Sequence, residues 1–157
     1  MPEEMNQQQL AGAIEQERAR WLELLPRFND EQWQLSQRAD GWTAHDIVAH
    51  VADSNYGLAL MALGEIKPQL PLNPETGWMD VDDYNEQRRA RNASLPRAKI
   101  TERLSTSLDH MRRAIEGTDD MDAPSPIGPP HTMGTWLRRM VQHNQAHRQE
   151  LEQMVRD

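Results

Sequence analysis

The stretch His143-Asn144-Gln145-Ala146-His147 lies late in a run from Met133 to Val155 whose apolar residues recur at helical spacing. Residues four apart stack on one face of an α-helix, so both imidazoles of this stretch point the same way. Two neutral imidazoles on one face can hold two positions of a divalent metal, and a third ligand has to come from elsewhere. The candidate is His50, far upstream on another predicted helix. The sequence therefore predicts a helix bundle with a three-histidine metal site in its interior.

Length and composition indicate one domain, residues 1–157, that is long enough to bury a proper core. The formal charge of −8 argues against nucleic acid as the main partner. The absence of cysteine excludes disulfides, thiolate ligands and a cysteine nucleophile, so any thiol chemistry needs a thiol brought by a substrate. There is no signal-peptide pattern and no apolar stretch of about 20 residues, so a cytoplasmic protein without membrane association is expected.

Hydrophobic periodicity predicts four main helices and one short helix. In chain order they are Pro2 to about Leu25, a helix that begins after Thr43, a short charged helix from Asp80 to about Ser94, a helix from about Pro96 to Gly117, and the run after Thr132. The segments Arg27 to Gly41 and Thr118 to His131 are predicted connections. No strand-period pattern competes, so the predicted fold is all-α: most simply an antiparallel four-helix bundle with an additional short helix between helices two and three.

The second main helix has the clearest start signal. Thr43 is a good N-cap, and Asp46 three positions on approximates a capping box with Asp in place of Glu. A rotation of about 100° per residue then places His50 on the flank of the inward face and His45 on the opposite, solvated side. The second half of the helix, Leu58 to Leu63, is apolar all round, which indicates either deep burial or a subunit interface.

Three protein ligands predict a catalytic metal site, because structural zinc sites are usually closed by four ligands and catalytic sites keep one position open. An all-imidazole set favours Zn, Ni, Fe or Cu over Mg or Ca. Asp46 either accepts the second ring N–H of His50 or serves only as the cap partner. Asn144 on the core face is a candidate for orienting a ligand or substrate, and Glu150 is predicted as a solvated charge. The competing interpretation is a layer of hydrogen-bonded histidines in the core.

The motif Gly41-Trp42-Thr43-Ala44-His45-Asp46-Ile47-Val48-Ala49-His50 resembles the second-helix opening of the DinB/YfiT-like superfamily, and His143-x-x-x-His147 resembles the paired ligands of its last helix. Val81-Asp82-Asp83-Tyr84-Asn85-Glu86-Gln87-Arg88 is similar to the middle helix of members related to maleylpyruvate isomerase. The resemblance covers nearly the whole chain in helix order. It implies a four-helix bundle, often dimeric, with a divalent metal, commonly zinc or nickel, on His50, His143 and His147. A homodimer is therefore expected, as the apolar run in the second helix also suggests.

Members of that superfamily include enzymes that act with low-molecular-weight thiols, such as mycothiol-dependent isomerases and bacillithiol S-transferases, and metal-dependent hydrolases. In the isomerase-like members the first ligand of the last helix is often Glu, whereas this chain has His143. The resemblance therefore supports the metal site more strongly than it supports an isomerase.

The leading prediction is a metal-dependent enzyme that acts on a small molecule, either as a thiol-dependent S-transferase or as a hydrolase. The metal would lower the pKa of a bound water or of a substrate thiol and so produce the nucleophile at the open position. Tyr84, Asn85 and Arg88 are predicted to line the mouth of the site and to orient an anionic substrate. The alternatives are a bundle that binds a metal or small molecule without turnover, and a purely structural bundle.

Overall fold

The structure, a computed structural model, describes residues 5–35, 38–67, 73–76 and 82–156, and these residues form helices and connections without a strand. The four main helices are α1 (Gln7–Leu24), α3 (Ala44–Ala62), α5 (Arg97–Glu116) and α6 (Met133–Arg156). Two shorter helices are α2 (Asp30–Trp33) and α4 (Asp82–Asn92). The predicted all-α fold with a short helix between the second and third main helices is confirmed, and the single-turn α2 is additional to that prediction.

Capping groups explain where α1 and α3 begin. The start of α1 lies at Gln7, several residues later than predicted, because the Asn6 side chain accepts from the Gln9 N–H and the Gln9 side chain accepts from the Asn6 N–H. At α3 the predicted capping box is present: Thr43 N donates to Asp46 Oδ2 at 3.0 Å, and Asp46 N donates to Thr43 Oγ1 at 3.2 Å. These reciprocal bonds satisfy backbone donors that no helical carbonyl can reach.

The remaining helix boundaries agree with the sequence pattern in part. Pro96 caps α5, and Thr132 Oγ1 accepts from Thr135 N at 3.2 Å in the first turn of α6. Gly117 follows α5 as predicted, but its φ of −83° is right-handed, so no left-handed cap is used there. Asp80, where the short helix was predicted to begin, lies outside the described residues.

The bundle is not a simple up-and-down arrangement. Helices α5 and α6 each pack against both α1 and α3. Asn55 of α3 donates to Ser107 of α5 at 3.2 Å, and Glu65, just beyond α3, lies 3.4 Å from Arg113, further along α5. The contacting positions increase together in both helices, so α3 and α5 run parallel and the expected antiparallel order is wrong for this pair.

Helices α1 and α6 are also parallel neighbours. Near the start of each, Arg138 Nε donates to the Met5 carbonyl at 2.9 Å. Near the other end, Arg148 forms a buried ion pair with Glu17, with N–O distances of 2.7 and 2.9 Å. Because Arg148 directly follows His147, this ion pair fixes the position of that part of α6 against α1.

The crossing helix α4 explains why α3 and α5 are parallel. Its last residue, Asn92, contacts His45 in the first turn of α3, so the chain has returned to the end of the bundle where α3 begins. Bundles with one or two such crossovers are a recognised class. Local periodicity cannot reveal this return, because it carries no information about where a connection leads.

The core consists of the inward faces of the four main helices. Helix α5 buries an apolar stripe that comprises Ile100, Leu104, Leu108, Met111 and Ile115. The apolar faces of α1 and α6 are buried as well. In the run Leu58 to Leu63, Ala59 and Met61 are buried and the other residues are half-buried within the single chain. Among the described helices none is long and apolar enough to span a membrane.

Candidate metal centre

His50 on α3 meets His143 and His147 on α6 inside the bundle. One ring nitrogen of each lies within 4.8 Å of those of the other two, and His50 Nε2 is 3.0 Å from His143 Nε2. The three ring centroids are 4.6 to 5.1 Å apart. The structure therefore brings together all three histidines that the sequence analysis selected, from two antiparallel helices.

The three imidazoles are neutral at pH 7. Burial, together with the neighbouring His143, His147 and Arg38, lowers the pKa of His50 from its ordinary value of 6.5 to about 3. Burial also lowers the pKa values of His143 and His147 to about 4, with contributions from His147 to the first and from Arg38 to the second. A neutral imidazole is the form that binds a metal ion, so no proton has to be displaced at neutral pH.

The donor set fits a divalent transition metal. Within the part of the chain that the structure describes, the cluster consists of three imidazoles without a carboxylate, and Nδ1 of His147 is buried without a hydrogen-bond partner. Histidines with a purely structural role in a core have their ring nitrogens paired with other protein groups. Three converging nitrogens without a fourth protein ligand match the pattern of a site that keeps one coordination position open.

Glu150 is part of the surroundings of the cluster and is not the freely solvated charge that was predicted. Its Oε1 lies 3.3 Å from Nη1 of Arg38 and 3.9 Å from Nδ1 of His147. The Arg38 guanidinium in turn lies over the Trp42 ring at 5.0 Å. Arg38 could not be predicted from the sequence, because it lies in an irregular connection, where no helical phase indicates the direction of a side chain.

The two candidates for supporting the ligands have other contacts. Asp46 accepts from Thr43 N and is the cap partner, which was one of its two predicted roles. Asn144 is fully buried and exchanges two hydrogen bonds with Asn55, of 2.7 and 3.0 Å. This amide pair lies next to His143 in sequence and fixes α6 against α3, so Asn144 faces the core rather than a substrate.

The prediction that His45 lies on the solvated side of α3 is wrong. Its side chain is buried, with Nδ1 2.9 Å from Trp33 Nε1 and Nε2 3.1 Å from the Asn92 carbonyl. An indole N–H only donates, so Nδ1 of His45 is the acceptor and Nε2–H donates to Asn92. The prediction failed because α3 is covered on this side by α2 and by the end of α4, which periodicity within α3 does not reveal.

A cavity of about 480 Å³ opens beside His50 and His143. The predicted mouth residues Tyr84, Asn85 and Arg88 all line it. The rest of the lining includes an apolar group and a charged group: Leu58, Met61, Trp136 and Met140, and Asp53, Arg89 and Arg139. Its volume suits a small organic molecule. Asp53 and Arg139 were not selected from the sequence, where they resemble ordinary polar positions of amphipathic helices.

A model of the DinB superfamily matches residues 13–151. A protein of Oceanobacillus iheyensis named "Putative metal-dependent hydrolase" is 32% identical over 75 residues, which cover 41% of this chain and 44% of that relative. The chain therefore matches less than half the length of this relative. No solved structure matches the chain.

Proposed function

The chain belongs to the DinB superfamily, and from this premise we propose that it is a divalent-metal-dependent hydrolase of a small molecule. The observation that carries the proposal is the convergence of His50, His143 and His147 beside a cavity large enough for such a substrate. The name of the O. iheyensis relative, a metal-dependent hydrolase, supports the same reaction class.

The three histidines would hold the ion. An all-imidazole set suits Zn, Ni, Fe or Cu, and the resemblance to DinB-like proteins favours zinc or nickel among them. When bound, such an ion acts as a Lewis acid and brings the pKa of a water or thiol at its open position toward neutrality. Because burial keeps the imidazoles neutral, their role is to hold the ion and not to carry protons. The cavity wall beside His50 and His143 supplies the substrate position.

The apolar part of the cavity wall would hold the body of the substrate and exclude water. Met61 and Trp136 are at least nine-tenths buried, and both line the cavity, so they present a fixed apolar surface. Trp136 Nε1 donates to the Leu58 carbonyl at 3.1 Å, which fixes the indole ring. A substrate body packed on this surface excludes water from one side of the site and strengthens electrostatic interactions there.

The test begins with metal-free protein that is reloaded with zinc or nickel. Loaded protein is assayed against small esters, lactones, thioesters and amides, each with and without a low-molecular-weight thiol. We expect metal-dependent hydrolysis that is lost in His143→Gln and retained in His110→Gln, a control on α5 whose ring contacts Tyr56 outside the cluster.

The outcomes of this test separate the alternatives. Turnover only in the presence of the thiol indicates an S-transferase in place of a hydrolase. Stoichiometric metal binding without turnover across the panel favours a metal-binding bundle. Metal content that is unchanged in His143→Gln contradicts the site itself.

A further inference from the structure

The charged wall of the cavity indicates which class of substrate the site accepts. We propose that the substrate carries one carboxylate beside an apolar body, and that Arg88 binds this carboxylate; the inference rests on the proposed function, because the cavity is the same. Arg88 lies on α4, whereas the histidines lie on α3 and α6. It lines the same cavity as His50 and His143.

The sign of the charge in the cavity differs from that of the protein. The chain has a net charge of −8, yet among the described residues the charged groups that line the cavity are three arginines, Arg88, Arg89 and Arg139, and one carboxylate, Asp53. A local excess of positive charge in a cleft concentrates small anions there. An acidic chain that places three arginines at one cavity is therefore suited to an anionic ligand.

The contacts of these groups favour Arg88 over Arg89 as the group that is available to a ligand. Arg89 is engaged by Glu86, with Nε 2.9 and 3.0 Å from the two carboxylate oxygens. Asp53 accepts a 2.6 Å hydrogen bond from Asn92, and its other oxygen lies 3.4 Å from Nη2 of Arg88. Nε of Arg88 is buried without a hydrogen-bond partner. The guanidinium of Arg88 thus has one long contact and an unmet donor, although its side chain is 33% exposed.

A carboxylate is the acceptor that satisfies such a guanidinium best, because two parallel N–H···O bonds match its planar shape. The carboxylate of Asp53 beside Arg88 disfavours a doubly charged phosphate through like-charge repulsion. The Tyr84 ring, 5.9 Å from the guanidinium carbon, supports Arg88 at the cavity wall. The apolar wall formed by Met61 and Trp136 then accepts the body of the ligand.

The experiment compares binding of 4-phenylbutyrate and its neutral amide, 4-phenylbutyramide, by calorimetric or NMR titration. Metal-free protein is used, because a carboxylate can also coordinate a metal ion. We expect the acid to bind at least about tenfold more tightly than the amide, the difference that a charge-assisted bidentate pair supports. Arg88→Gln should abolish this preference and Arg88→Lys should retain part of it. Arg112→Gln, an exposed arginine of α5 paired with Glu15, is the matched control.

Equal binding of acid and amide to the wild type, or a preference that survives Arg88→Gln, overturns the inference. Circular dichroism verifies that each metal-free variant is folded, and Arg88→Lys provides the comparison if the glutamine variant does not fold. Failure here and failure of the hydrolase proposal are distinguishable. Selective carboxylate binding without any hydrolysis contradicts the hydrolase proposal and supports the role of Arg88. Hydrolysis of neutral substrates without carboxylate selectivity supports the hydrolase proposal and contradicts the role of Arg88.

Discussion

Metal binding to this protein should release almost no protons, even in mildly acidic solution. At pH 5.5 an imidazole with the ordinary pKa of about 6.5 is roughly nine-tenths protonated, so three such ligands release about 2.7 protons when they bind one ion. In this protein burial holds the pKa of His50 at about 3 and those of His143 and His147 at about 4. At pH 5.5 the three rings together then carry only about 0.1 proton before the metal arrives.

The assay is calorimetric titration of zinc into metal-free protein at pH 5.5, in two buffers with different enthalpies of protonation. The dependence of the observed heat on the buffer gives the number of protons released per ion. A second titration of His110→Gln removes any contribution of that histidine on α5. We expect fewer than about 0.5 proton per ion in both proteins. Release of two or more protons would refute the reasoning, because it requires that the free site holds its histidines charged and therefore exposed to water.

Four further predictions concern stability and assembly. Glu17→Leu should lower the free energy of unfolding by about 3 kcal/mol, because it leaves Arg148 buried with Glu152 as its remaining partner. The melting temperature should then fall by roughly 6–12 °C. Adding Arg148→Met should recover most of this loss, and no recovery would contradict the pairing. His45→Phe should lower the free energy of unfolding, measured in urea, by about 2–4 kcal/mol, since it leaves the Trp33 N–H and the Asn92 carbonyl unpaired. A loss below about 1 kcal/mol would refute the importance of these two hydrogen bonds. Metal-free protein should lose stability as the pH falls from about 6.5 to about 4, because the lowered histidine pKa values make the unfolded state bind more protons than the folded state in that window. A variant with glutamine in place of His50, His143 and His147 should lose stability less steeply with falling pH. Equal slopes of stability against pH in the two proteins would argue against the lowered pKa values. Light scattering at micromolar concentration should give the mass of a homodimer, and a monomeric mass would reject that expectation.

Sequence reasoning located most helices and the histidine cluster because both depend on local geometry. The apolar stripe of α5 and the capping box of Thr43 and Asp46 are set by residues within a few positions of each other. His50 could be assigned to the flank of the inward face once the start of α3 was known, and the spacing of His143 and His147 fixes their common direction. The resemblance to DinB-like proteins added the expectation that the two helices are neighbours.

What the sequence did not reveal is decided by contacts between distant segments. His45 lies on the face of α3 that periodicity assigns to solvent, and its contacts are with Trp33 and with the end of α4, which are distant in the sequence or on other elements. The parallel direction of α3 and α5 follows from the return of the chain along α4. The pairing of Arg38 with Glu150 joins an irregular connection to the last helix, which neither segment indicates alone.

The most direct test of the central claim is a crystal structure of the zinc-loaded protein, with data collected at the zinc absorption edge. We expect one anomalous peak between His50, His143 and His147, bound through one nitrogen of each ring, with the remaining coordination position facing the cavity lined by Tyr84 and Arg88. A fourth protein ligand in that position, or a zinc ion bound elsewhere while these three rings stay apart from it, would contradict the claim.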